Sequence, residues 1–128
     1  MRLLLDTQLA IGWQIAPERL PPLCAELVLD ADNSAYVSRI SLWEISIKNG
    51  IGKLHLDLPQ FIARMTDDGF TWLGLEDEHI IGLCGLPEQD DHKDPFDRLL
   101  VAQSLTEPMI LLTTDAKLAR YGPTVRIV

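Results

Sequence analysis

Three consecutive leucines, Leu3 to Leu5, run straight into Asp6 and Thr7. Successive side chains of a strand point to opposite faces, so a short run with no polar alternation suits a strand buried on both faces of a parallel sheet. A similar run lies near the other end, where Met109-Ile110-Leu111-Leu112 is closed by Thr113-Thr114-Asp115. Strands of this kind need helices over both faces of their sheet, so the rest of the chain has to supply them.

The intervening pattern does so. Leu9, Ile11, Trp13 and Ile15, followed by Pro17 and the Pro21-Pro22 pair, predict a helix, a break, and a second helix from about Leu23 to Ala31. Ala35 to Ser38 reads as a strand. Ser41 and Glu44, three apart before an apolar run, carry the capping-box pattern of a helix start, and Gly50 and Gly52 end that helix. Leu58 to Ile62 opens a short helix, Phe70 to Leu73 a strand, Glu76 to Leu86 an ambiguous segment read as helical, and Glu88 to Lys93 a polar loop. Asp94 followed by Pro95 is a favoured N-cap with proline at the first helical position, and the helix it opens runs to Leu105. Ala116 to Arg120 make a brief helix and Thr124 to Val128 a final strand. Strands alternating with helices predict an α/β fold, a central mostly parallel sheet flanked by helices, as a single domain over residues 1–128.

The 128 residues suffice for a core without metal or disulfide staples, so any metal is expected to be functional. Cys24 and Cys84 form no C-x-x-C and no zinc-finger spacing, and read as buried small apolar residues in a reducing cytosol. Asp6 interrupts any signal-peptide apolar region, and no apolar run approaches the ~18 residues of a membrane span, so the expectation is a soluble, cytoplasmic chain. Net charge is −8, which argues against holding nucleic acid by phosphate neutralisation alone. Only carboxylates that recruit cations reconcile this charge with a polyanionic substrate.

The positions of the acids bear on that. Asp6 and Asp115 follow strands, while Glu44 and Asp97 fall in the first turns of predicted helices. In a parallel α/β sheet the strand C-termini and the following helix N-termini share one edge, where sites form. Singly, each acid has an ordinary explanation: Asp6 and Asp115 as N-caps, Glu44 as the partner of Ser41, Asp97 as a complement to its helix dipole. Together, carboxylates without counter-charge raise one another's pKa and persist where a cation sits among them. Hard oxygen ligands select Mg²⁺ or Mn²⁺ over zinc, and carboxylate-held divalent ions are the apparatus of phosphodiester hydrolysis.

Leu3-Leu4-Leu5-Asp6-Thr7, Val37-Ser38 with Ser41-Leu42-Trp43-Glu44-Ile45-Ser46-Ile47-Lys48, Asp94-Pro95-Phe96-Asp97-Arg98-Leu99-Leu100-Val101-Ala102-Gln103, and Thr113-Thr114-Asp115 resemble, in this order along the whole chain, a PIN-domain protein. The likeness is in particular to VapC-type toxins of type II toxin–antitoxin systems. It implies a PIN-like three-layer fold and a Mg²⁺- or Mn²⁺-dependent endoribonuclease. The acidic quartet would be Asp6, Glu44, Asp97 and Asp115, with Asp6 and Asp97 as principal metal ligands. Glu44 would hold metal or polarise the attacking water, and Asp115 matches the family's more variable fourth acid. It further implies homodimerisation, a wider toxin–antitoxin assembly, and a cognate antitoxin through which alone the complex touches DNA; the acidity makes a basic antitoxin segment an expected partner. Many relatives read D-T-H where this chain has Asp6-Thr7-Gln8, so an imidazole role there is absent, while the Thr7 hydroxyl remains to orient Asp6 or a water.

Asp94 is near Asp97 on its helix but reads first as the cap. Arg98, Lys48 and Arg39 are candidates for substrate phosphate, though helix-borne cations more often form salt bridges. His55, His79 and His92 share no ligand spacing and read as exposed or satisfied histidines, with His92 alone placed before the expected crevice. Trp13, Trp43 and Trp72 read as core or interface anchors. Two other classes stay open: a catalytically silent PIN-fold interaction module, and a haloacid-dehalogenase-type phosphatase. The latter wants an aspartate where Gln8 stands.

Overall fold

The computed structural model describes residues 1–88 and 94–128. Strand β1 (Arg2–Leu5) leads into α1 (Thr7–Ile15), a 3-10 turn at Pro17–Arg19 and α2 (Pro22–Leu29). Then follow β2 (Ser34–Ser38), α3 (Arg39–Gly50), α4 (Leu58–Asp67), β3 (Thr71–Leu73) and α5 (Asp77–Cys84). The chain ends with α6 (Pro95–Thr106), β4 (Ile110–Thr113), a 3-10 segment at Ala116–Tyr121 and β5 (Val125–Ile127). The five strands pair in the order β3-β2-β1-β4-β5, with every pairing parallel.

The leucine run is the centre of this sheet. Leu5 stands between Val37 on β2 and Leu112 on β4, and Leu3, Leu4 and Leu5 are all fully buried. Alternation then divides the core in two. Leu3 and Leu5, with Val37 and Leu112, pack against residues of α1, α2, α3 and α4, including Ala10, Cys24, Ile45, Phe61 and Met65. Leu4 and Leu111 face the opposite layer, with Leu99 to Ala102 of α6, Met109, Leu118 and Tyr121. The chain adds β2 and β3 on one side of β1, then crosses to add β4 and β5 on the other. That reversal of strand order opens a crevice beyond the C-termini of β1 and β4.

Several local expectations shift. Helix α3 begins at Arg39, and its cap is Ser38, whose hydroxyl accepts from Ile40 N at 3.1 Å; Ser41 lies inside the first turn and is not the start. Helix α2 stops at Leu29 instead of Ala31, because the Asp30 carboxylate takes the Asp32 N–H into a local turn. Segment 77–84 is helical, and the 116–121 helix is of the 3-10 type. Cys24 is buried but Cys84, at the end of α5, is exposed. Trp43 is 57% exposed and so is no core anchor, whereas Trp13 packs edge-on against Phe70 and Trp72 against Phe61. No helix among the described residues is long and apolar enough to cross a membrane. The 88–93 loop and His92 fall at or within 89–93, outside the described residues, apart from Glu88 itself.

Candidate metal site at the sheet edge

Asp6 ends β1 in an extended conformation and caps α1, its Oδ1 accepting from Leu9 N at 2.8 Å. Its other oxygen, Oδ2, accepts from the Thr113 hydroxyl at 2.5 Å. Thr113 Oγ1 also accepts the Asp115 N–H at 3.0 Å, which leaves the hydroxyl proton for Asp6. This fully buried threonine on β4 therefore holds two of the acids at once. In the sequence it is one of a pair of threonines, marked only as a hydroxyl that closes an apolar strand.

Burial pushes the Asp6 carboxyl above the usual carboxylate range. The hydrogen bonds from Thr113 and Leu9 act against this, while the charges of Glu44 and Asp115 add to it. Asp6, Glu44 and Asp115 thus share one electrostatic neighbourhood.

Glu44 is buried, 7% exposed, in the second turn of α3. Its Oε2 pairs with Lys48 Nζ, one turn on, at 2.9 Å. Its Oε1 is buried and has no hydrogen-bond partner among the described residues. A buried carboxylate oxygen without a donor is costly, about 1–3 kcal/mol or more, and such an atom calls for an explanation. Beside it, Thr7 and Ser41 join α1 to α3 through a hydroxyl pair at 2.9 Å.

Asp115 caps the 3-10 segment, its Oδ1 accepting from Lys117 N at 3.0 Å. Asp97 is half-buried in the first turn of α6. Asp94 is the N-cap there, its Oδ1 accepting from Phe96 N at 2.9 Å and Asp97 N at 3.1 Å. The Phe96 and Trp43 rings meet edge to face at 5.0 Å, which sets the start of α6 against the turn of α3 that bears Glu44. Among the described residues, no three His, Cys, Asp or Glu side chains are drawn into ligating reach of a single ion. Asp6, Glu44 and Asp115 each rest on a local partner instead, as repelling charges do.

The cations serve the frame. Arg98 donates to Pro87 O and to the Tyr121 hydroxyl, each at 3.0 Å, and its guanidinium lies 5.7 Å from the Tyr121 ring centre. Arg39 stacks 4.8 Å over Trp72, and Lys48 is engaged with Glu44. His55 is exposed, and His79 is fully buried at 2.6 Å from Glu107. Gln8 and Thr114 line a groove of about 280 Å³ together with Arg19 and apolar residues of α1. The Cys24 thiol, held at a pKa of about 11 by burial and the charge of Asp6, stays protonated at neutral pH. Cys24 lies in the apolar core, and the four acids offer oxygen donors.

No family model matches the sequence, and no curated protein matches it. The fold, however, has clear counterparts among solved structures. The chain is similar over 100% of its length to 98% of a chain in VapBC2 from Rickettsia felis bound to promoter DNA, with a TM-score of 0.72 at 16% identity. It is similar over 100% of its length to 97% of a chain in VapBC-1 from nontypeable Haemophilus influenzae, with a TM-score of 0.69 at 19% identity. A toxin–antitoxin complex from Klebsiella pneumoniae matches with a TM-score of 0.65 at 16% identity, over 97% of this chain and 95% of that one. An all-parallel five-stranded sheet between helical layers, matched from end to end, is the PIN fold of these VapBC structures.

Proposed function

We propose that this chain is the toxin of a type II toxin–antitoxin pair and acts as a Mg²⁺- or Mn²⁺-dependent endoribonuclease. The observation that carries the reading is Glu44 Oε1, a buried carboxylate oxygen with no partner among the described residues, at a sheet edge it shares with Asp6 and Asp115. The oxygen donors of the four acids suit a hard divalent cation and not zinc. Asp6 and Asp97 would hold the ion, with Glu44 and Asp115 completing the set and Asp94 remaining the cap. When bound, the ion supplies activated water and charge stabilisation at the departing oxygen.

The chain's own residues do the rest. Thr113 fixes the Asp6 carboxylate through a hydroxyl whose proton has no other destination. Lys48 anchors one oxygen of Glu44 and leaves the other without a donor, so that it would be able to accept a proton. Burial of Asp6 and Glu44 strengthens their interaction with a cation. The VapBC structures sharing this fold pair such a chain with a second protein, and in Rickettsia felis the pair binds DNA, which supports a cognate antitoxin here. On this reading the antitoxin brings a basic segment to the acidic edge and alone contacts operator DNA, and the toxin is a homodimer.

The test is cleavage of total RNA and tRNA by purified protein with Mg²⁺ or Mn²⁺, against EDTA and against Asp6→Asn and Asp97→Asn. Cleavage that needs the metal and both aspartates is expected. Inactivity of the wild type with either metal, or full activity of both variants, overturns the assignment.

A further inference from the structure

A chain of polar side chains links the residue after α6 through α5 and α6 to the end of β2, and none of the chemistry above uses it. It begins at Glu107, just past α6, whose Oε2 lies 2.6 Å from His79 Nε2. On the other side of the ring, the Glu76 backbone N–H donates to Nδ1 at 3.0 Å and the Gln103 amide does so at 3.3 Å. Two donors aimed at Nδ1 leave it unprotonated, so the ring proton sits on Nε2 and goes to Glu107. The Gln103 NH₂ group also donates to Gly74 O at 3.2 Å. That turns its carbonyl oxygen to the Ser38 hydroxyl, 2.7 Å away. Ser38 therefore has to donate there, which keeps its lone pair on the Ile40 N–H at the start of α3.

His79, Gln103 and Ser38 are all fully buried, so water cannot substitute for a missing partner. Each orientation is forced by the one before it, from the histidine tautomer to the amide to the hydroxyl. The last hydroxyl caps the helix whose first turn holds Ser41 against Thr7 and whose second bears Glu44.

We propose that His79 and Gln103 are positioning residues, which fix the Ser38 cap and through it the placement of Glu44. This rests on reading Glu44 as part of a metal site. The test compares full-length wild type with His79→Leu, Gln103→Met and His79→Asn by amide hydrogen exchange and by calorimetric Mn²⁺ binding. Leu111, in the interior of the sheet, reports global stability, and Ile40 reports the cap.

His79→Leu and Gln103→Met are expected to speed Ile40 exchange about five- to tenfold beyond any change at Leu111, as loss of a cap does. They should also weaken Mn²⁺ binding about tenfold, the usual cost of losing an outer-shell partner. In His79→Asn the short side chain puts an amide oxygen near the position of Nδ1, so both properties should recover although the Glu107 contact is gone. The proposal is overturned if Ile40 and Leu111 shift together in both variants, or if His79→Asn behaves like His79→Leu. A wild type that binds no Mn²⁺ overturns the metal reading of Glu44, and Ile40 then still decides whether the relay holds the cap.

Discussion

Replacing Thr113 by valine removes one hydroxyl and almost no volume. The hydroxyl donates to Asp6 Oδ2 and accepts the Asp115 N–H, so both contacts are lost. A hydrogen bond to an ionised group contributes about 1.5–3 kcal/mol, against about 0.5–1.5 kcal/mol when both partners are neutral. The loss should therefore depend on whether Asp6 is charged. Burial already raises the folded-state pKa of Asp6 above 3.8, so the contribution of Asp6 to wild-type stability falls as pH rises from that value through the folded pKa and is flat above it. The Thr113 bond opposes that rise; without it the folded pKa climbs further, and the gap between wild type and variant widens as pH passes between the two.

At neutral pH and with chelator present, the expected loss is about 1.5–3 kcal/mol. For 128 residues the unfolding entropy is about 0.27 kcal/mol/K, so Tm should fall by about 6–11 °C. Near pH 3.5, below the folded-state pKa of Asp6 in both proteins, the difference should shrink toward about 2–6 °C. Thr113→Ser, which keeps the hydroxyl, should stay near wild type at both pH values. Thermal unfolding followed by circular dichroism across this range decides the matter. A deficit of the same size at low and neutral pH would refute the assignment of the hydroxyl proton to an ionised Asp6.

Other outcomes follow from the same geometry. Asp6→Asn removes a buried charge repelled by Glu44 and Asp115, so the metal-free variant should melt above wild type at neutral pH while losing any response to divalent ions; a lower Tm there counts against the electrostatic account. Millimolar Mg²⁺ or Mn²⁺ should raise the wild-type Tm, by about 2.7 kcal/mol of stabilisation at one hundred times Kd, and EDTA should reverse it. No shift with either ion speaks against the site. Arg98→Met breaks bonds to Pro87 and Tyr121 and should cost about 1–3 kcal/mol in denaturant titration, with KM for RNA unchanged. A raised KM at wild-type stability would instead make Arg98 a phosphate contact. Lys48→Met takes the ion-pair partner from the buried Glu44 carboxylate and should cost about 1–3 kcal/mol or more without metal, checked by the same titration.

What could be read along the chain is what neighbouring residues decide among themselves. The Leu3–Leu5 run, the Asp94-Pro95 start of α6 and the alternation of strand and helix are local signals, and the elements they predict are present. Placement of Asp6 and Asp115 just beyond two interior strands follows from the same pattern, because a buried strand ends where polar groups can again reach water or a cap. Locality also explains the errors. Ser38 and Ser41 are equally good capping residues on paper, and the choice fell to Ser38 because Gln103, 65 positions away, takes its hydroxyl proton. Cys84 and Trp43 are apolar by type, but their exposure depends on which helix faces are covered.

The amino-acid sequence by itself determined a parallel α/β fold with Asp6 and Asp115 just beyond two interior strands, since periodicity, caps and apolar runs act over a few residues. Only the tertiary structure decided that Thr113 would hold Asp6 across 107 positions, that one oxygen of Glu44 would be buried without a donor, and that His79 would orient a helix it does not belong to. Those outcomes depend on strand order and on which buried polar groups can satisfy one another, and no short window of sequence contains either.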